Sequence, residues 1–94
     1  MAAITGCTTT QHLPNAGNLV ITITTPATAD SADTIDVSSA TVTGGQTLTG
    51  IYGVLAFDTT TGDAVTATWS STTITIDASG GTTNHTYKLL VWGY

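Results

Sequence analysis

No arginine and no glutamate occur in this chain of 94 residues, and Lys88 is its only lysine. Charged residues make up 7% of the sequence, against about 25% in ordinary soluble domains. Six aspartates against one lysine give a formal net charge of −5. Nucleic acid is excluded as a partner, because no set of cations is present to displace counterions from phosphates. An anionic membrane surface is opposed on the same ground. Cysteine is nearly absent as well. Cys7 stands alone, so no intrachain disulfide forms and packing must supply the stability. Met1-Ala2-Ala3-Ile4-Thr5-Gly6 lacks a basic and then apolar leader, so no secretory signal is expected and synthesis in a reducing cytoplasm is. The longest nearly unbroken apolar stretch, Ile51 to Phe57, is too short to span a bilayer.

Threonine fills the space that charge leaves. It accounts for 24 of the 94 residues. A β-branched polar residue fits a pleated strand with its hydroxyl in water, so the chain reads as an all-β structural or binding module. A surface nearly free of lysine and arginine resists trypsin-like proteases and adds little long-range repulsion between crowded copies.

Apolar alternation with period two recurs, and no segment keeps helical spacing over ten residues. Leu19, Ile21 and Ile23 alternate with Val20, Thr22 and Thr24 as a half-buried strand ended by Pro26. Ile35 and Val37 mark a shorter strand near an edge, and Val42 precedes a Gly44-Gly45 turn. From Leu48 to Phe57 both faces are apolar, with Ile51, Leu55 and Phe57 on one side and Tyr52, Val54 and Ala56 on the other. Such a strand is central or covered by a neighbour. After a turn over Asp58–Asp63, Val65, Ala67 and Trp69 form an inward row. Ser70-Ser71 reverses the chain into Ile74 and Ile76. Beyond a loop from Ala78 to Asn84, the last strand puts Tyr87, Leu89 and Val91 on one face and Leu90, Trp92 and Tyr94 on the other. Six to eight short antiparallel strands with Gly, Asp and Ser turns indicate a small β-sandwich, Ig-like or jelly-roll-like. The expected organisation is an extended N-terminal arm or loop over residues 1–18 and one sandwich domain over 19–94. Its core would hold Ile51, Leu55, Phe57, Val65, Trp69, Ile74, Ile76, Leu89 and Val91.

Several constellations have a sharper and a blander reading. Thr-x-Thr pairs begin at Thr22, Thr41, Thr47, Thr66 and Thr73; a regular array of them would suit an ice-binding face, but the intervals of 19, 6, 19 and 7 fit no repeat. Wet strand faces explain them better. Asp30, Asp33 and Asp36 lack the close spacing and closing glutamate of a calcium loop, so turn and cap chemistry is the default. Cys7, His12 and His85 match no zinc pattern. No G-x-S-x-G elbow and no phosphate-cradling glycine loop is present. No catalytic residue, metal or cofactor is therefore assigned. Trp69, Trp92, Tyr52, Tyr87 and Tyr94 could stack on sugars if exposed, but in-strand positions favour core or interface packing.

The segments Thr49-Gly50-Ile51-Tyr52-Gly53-Val54-Leu55-Ala56-Phe57-Asp58, Val65-Thr66-Ala67-Thr68-Trp69 and His85-Thr86-Tyr87-Lys88-Leu89-Leu90-Val91-Trp92-Gly93-Tyr94 resemble small β-rich virion proteins of tailed bacteriophages. The nearest class is the capsid decoration, or cement, proteins. That resemblance spans about the last half of the chain. It implies a non-enzymatic protein in many copies on the capsid exterior, often as trimers, bridging neighbouring major capsid proteins. A phage tail, fibre or baseplate module, with or without glycan binding, is the alternative. Partner contacts are expected from the segment before Leu19, with Cys7, His12, Leu13 and Pro14, and from Leu90, Trp92 and Tyr94 in the last strand.

Overall fold

The computed structural model describes residues 2–11, 19–78 and 83–94. Among these residues seven strands, all paired antiparallel, form one sheet: β1 (Thr8–Gln11), β2 (Leu19–Thr24), β3 (Thr34–Asp36), β4 (Ile51–Asp58), β5 (Asp63–Ser70), β6 (Thr73–Asp77) and β7 (Tyr87–Gly93). A single helical turn, α1 (Ala40–Thr43), precedes β4. The spatial order is β1-β2-β7-β4-β5-β6-β3. β4, β5 and β6 meander, and β7 returns beside β4, which is the Greek-key arrangement. The strands that are apolar on both faces, β4 and β7, lie inside the sheet, where neighbours cover both of their edges.

The sheet curls into a half-barrel, and β5 makes the bend. Its first residues, Asp63 to Val65, pair with β4, whereas Thr66 to Ser70 pair with β6. Along the open side, residues 2–7 connect the two edge strands. Thr34 N donates to Ala2 O at 2.8 Å and Ile4 N donates to Thr34 O at 2.8 Å, while Cys7 N donates to Val42 O at 3.0 Å. Residues 2–11 of the segment expected as an arm or loop thus lie along β3 and α1 and then form edge strand β1, in register with β2.

One apolar cluster fills the curl. Ile21, Ile23, Ile35, Val37, Ile74, Ile76, Tyr87, Leu89 and Val91 are fully covered, and Ile4, Cys7, Val42 and Leu48 join them from the open side. Each pair of alternate strand residues sends its side chains to one face, so burial follows the odd positions of β2 and β7.

In β4 the inside belongs to the other parity. Ala56 and Asp58 are buried, whereas Leu55 and Phe57, both expected in the core, are 51% and 47% exposed. Pairing decides this: Ala56 faces the buried Leu89 and Leu55 faces Leu90 on the outer side of β7. A bulge between Ile51 and Gly53 then inserts Tyr52 as an extra residue. Ile51 accordingly packs partly against the core and Tyr52 projects outward. Trp69 is a second correction. Its row is the inward one, shared with the half-buried Val65 and Ala67, but it sits beyond the covered part of the core and is 41% exposed.

Candidate functional site

The outside of the curl has two different halves. On β5, β6 and β3 the outward residues are mostly hydroxyls: Thr68, Thr75 and Thr34 stand side by side across the three strands, with Ser70, Thr73 and Asp36 in the next row. The Thr-x-Thr pairs of β5 and β6 belong to this wet face, while Thr43 is buried in α1. Across β7 and β4, with Val20 of β2, the outward residues are mostly apolar. Val20 stands opposite Trp92, which stands opposite Gly53; Leu90 stands between Thr22 and Leu55; Lys88 stands between Thr24 and Phe57. The chain's one lysine is thus at the end of an aromatic and aliphatic stripe.

Two exposed rings, those of Trp92 and Tyr94, are seated on glycines in β4 and immediately before it. A Cβ at Gly53 would fall 2.0 Å from Cζ2 of Trp92, and one at Gly50 would fall 2.3 Å from Cζ of Tyr94. The Tyr94 backbone is tied to the same place, donating to Gly50 O at 3.1 Å and accepting from Thr49 N at 2.6 Å. The Tyr52 ring completes the group, 5.3 Å from that of Tyr94 and tilted by 45°. Tyr52, Trp92 and Tyr94 are 54%, 38% and 50% exposed. Rings so fixed present apolar area with little rotamer freedom left to lose on binding.

Of the residues expected to touch a partner, Leu90, Trp92 and Tyr94 are brought together here. Cys7 is not, because its side chain faces the core and burial raises its thiol pKa. His12, Leu13 and Pro14 lie outside the described residues. Leu55 and Phe57, expected in the core, complete the surface, and Tyr52, expected on the face opposite them, joins them outside because of the bulge. No signal in β4 marks its outer side, because both of its faces are apolar and the buried Asp58 points to the wrong one.

Asp30, Asp33, Asp36, Asp58 and His85 are engaged in holding loops. Asp33 accepts from Ala2 N and Asp30 N at 2.9 Å each, and Asp36 accepts from the Ser38 amide and hydroxyl and from the Thr72 hydroxyl. The Ser38 and Thr72 bonds hold the Asp36 carboxyl below its ordinary pKa. Asp58 is buried at the β4–β5 turn, 2.5 Å from Nδ1 of His85, and also accepts from Thr60 N and Thr61 N. Burial pushes its pKa up, but His85 and the two amides outweigh that and leave it lowered. Among the described residues no three His, Cys, Asp or Glu side chains gather as a metal site.

No protein-family model, no curated protein and no solved structure matches this chain.

Proposed function

We propose that this chain is a non-enzymatic structural protein of a virion, of the capsid-decoration type, which docks on the outer face of a major capsid protein shell and stabilises it. The small sandwich expected of that class is supported by the bend in β5, which leaves β1, β2, β7 and β4 on one side of the curled sheet and β6 and β3 on the other. The observation that carries the reading is the division of its outer surface. An apolar stripe, with Trp92, Leu55 and Phe57 exposed and Val20 and Leu90 half-buried, lies on one side, and a hydroxyl-covered face lies on the other. Contiguous exposed apolar area marks interaction surfaces, and aromatic residues are enriched at their centres. A decoration protein needs one face for the shell or a sister subunit and another for solvent. Trimers are the assembly the resemblance implies.

Binding to purified undecorated capsids tests this. Leu90→Asp should abolish attachment, and native attachment should change little between low and moderate salt because Lys88 is the only cation available. A steep loss with salt, or full attachment by Leu90→Asp, overturns the reading. The second reading is a tail, fibre or baseplate module that binds glycans, favoured by the exposure of Tyr52, Trp69 and Tyr94. Hundreds of copies per particle indicate the capsid, and a few to dozens indicate the tail.

A further inference from the structure

β4 and β5 pair only from Ala56 to Asp58 against Asp63 to Val65. Before Ala56 the two strands part, because the second half of β5 turns away with β6. A cleft of about 300 Å3 opens near this end of the sheet, lined by Thr49, Gly50, Ile51, Trp69, Ser71 and Tyr94. It is distinct from the Leu90 stripe, although Tyr94 borders both.

Three features of the lining point the same way. Trp69 and Tyr94 bring exposed aromatic rings to it, 41% and 50% accessible. Among the described residues the hydroxyls of Thr49 and Ser71 take no partner within the protein. No carboxylate, lysine or histidine side chain among the described residues lines the cleft, and Lys88 is on the outer stripe opposite Phe57. The walls are also held in place. Tyr94 is seated on Gly50, and Ser71, with φ of 58°, belongs to the tight turn joining the β5 and β6 registers at Ser70 and Thr73. Small-ligand sites combine apolar or aromatic walls with a few placed polar groups. The volume is at the small end of the roughly 300–1,000 Å3 typical of them, which suits one end of a glycan.

We propose that this cleft binds the terminal unit of a neutral saccharide. The indole of Trp69 takes the C–H face of a pyranose ring, and Thr49 and Ser71 hydrogen-bond its hydroxyls. Acidic sugars are disfavoured, because the cleft offers no cation and the chain carries a net charge of −5. This site does not rest on capsid docking and would exist on a tail module equally.

The test is amide and indole NMR of the full chain, titrated with the methyl glycosides of glucose, galactose and N-acetylglucosamine, and with sialic acid and glucuronic acid. At least one neutral glycoside should shift Trp69, Ser71 and Thr49 and leave Leu90 and Phe57 unmoved. Trp69→Ala should weaken that binding by about tenfold or more, equivalent to roughly 1.4 kcal/mol. Thr49→Val, close to isosteric and on an exposed residue, should weaken it severalfold with unfolding unchanged, which separates binding from folding. Leu90→Asp should bind the glycoside as the native chain does even where capsid attachment is lost. Absence of any shift with all three neutral glycosides, a preference for an acidic sugar, or shifts centred on Leu90 and Phe57 would each overturn the proposal.

Discussion

The indole of Trp92 occupies the space that a side chain at position 53 would need: a Cβ on Gly53 would lie 2.0, 2.3 and 2.6 Å from three of its ring carbons. The glycine therefore serves the neighbouring strand. It lets an aromatic ring lie across β4 instead of standing away from it. Gly53→Ala should cost roughly 1–3 kcal/mol through overpacking, and Trp92→Ala in the same chain should recover part of that loss. Denaturant unfolding of the two single variants and the double variant measures the coupling. Strictly additive losses would mean that the ring is free to leave.

Leu55 and Leu89 are chemically identical residues on adjacent strands, one 51% exposed and the other fully covered. Leu89→Ala should cost about 2–5 kcal/mol, the range for leucine cavities in a core. Leu55→Ala should stay within about 0.5 kcal/mol, as surface changes do. Equal losses would contradict the register in which Ala56 faces Leu89. The same Leu55→Ala change should nevertheless weaken capsid attachment, since it removes the middle of the apolar stripe.

Much of this fold was legible from alternation alone. Ile21 with Ile23, Ile35 with Val37, Ile74 with Ile76, and Leu89 with Val91 all face the core as their spacing predicts. Leu90 and Trp92 likewise emerge on the outer side. Alternation fails where both faces of a strand are apolar, because period two then offers no sign of which face is inside. That is the case in β4. There the inner side went to the smaller residues Val54 and Ala56, while Leu55 and Phe57 were left outside. The bulge at Tyr52 reversed the parity once more. Strand β1 was hidden for a different reason: Thr8-Thr9-Thr10 carries no apolar alternation, and only its pairing with β2 makes it a strand. The wet and apolar halves of the surface could not be read before strand order was known, since they depend on which strands are neighbours.

Ala32 adopts a φ of +73° while its amide donates to Ile76 O at 2.6 Å. An L side chain in that region is strained by about 1–2 kcal/mol, and glycine removes the strain at some cost in unfolded-chain entropy. Ala32→Gly should therefore raise stability by about 0.5–1 kcal/mol, read as a higher denaturant midpoint with an unchanged slope. Lower stability would mean that the Ala32 methyl makes contacts worth more than the strain.

Asp58 ties the β4–β5 turn to the segment entering β7. Its carboxylate accepts from Thr60 and Thr61 amides and meets His85 Nδ1, and Thr59 N donates to Thr86 O at 2.9 Å beside it. Its folded pKa lies below the ordinary 3.8, with burial opposing and the His85 and amide bonds prevailing. A carboxyl depressed on folding contributes stability that is present above its unfolded pKa and is lost as pH falls through the folded one. Thermal unfolding of the native chain should therefore be flat above the carboxylate range and fall as the medium is acidified below pH 3.8. Asp58→Asn keeps the shape and removes the charge. It should lower stability at neutral pH and lose less on acidification, so the two curves converge toward low pH. Parallel curves for the native chain and Asp58→Asn would show that the charge on Asp58 does not hold the turn.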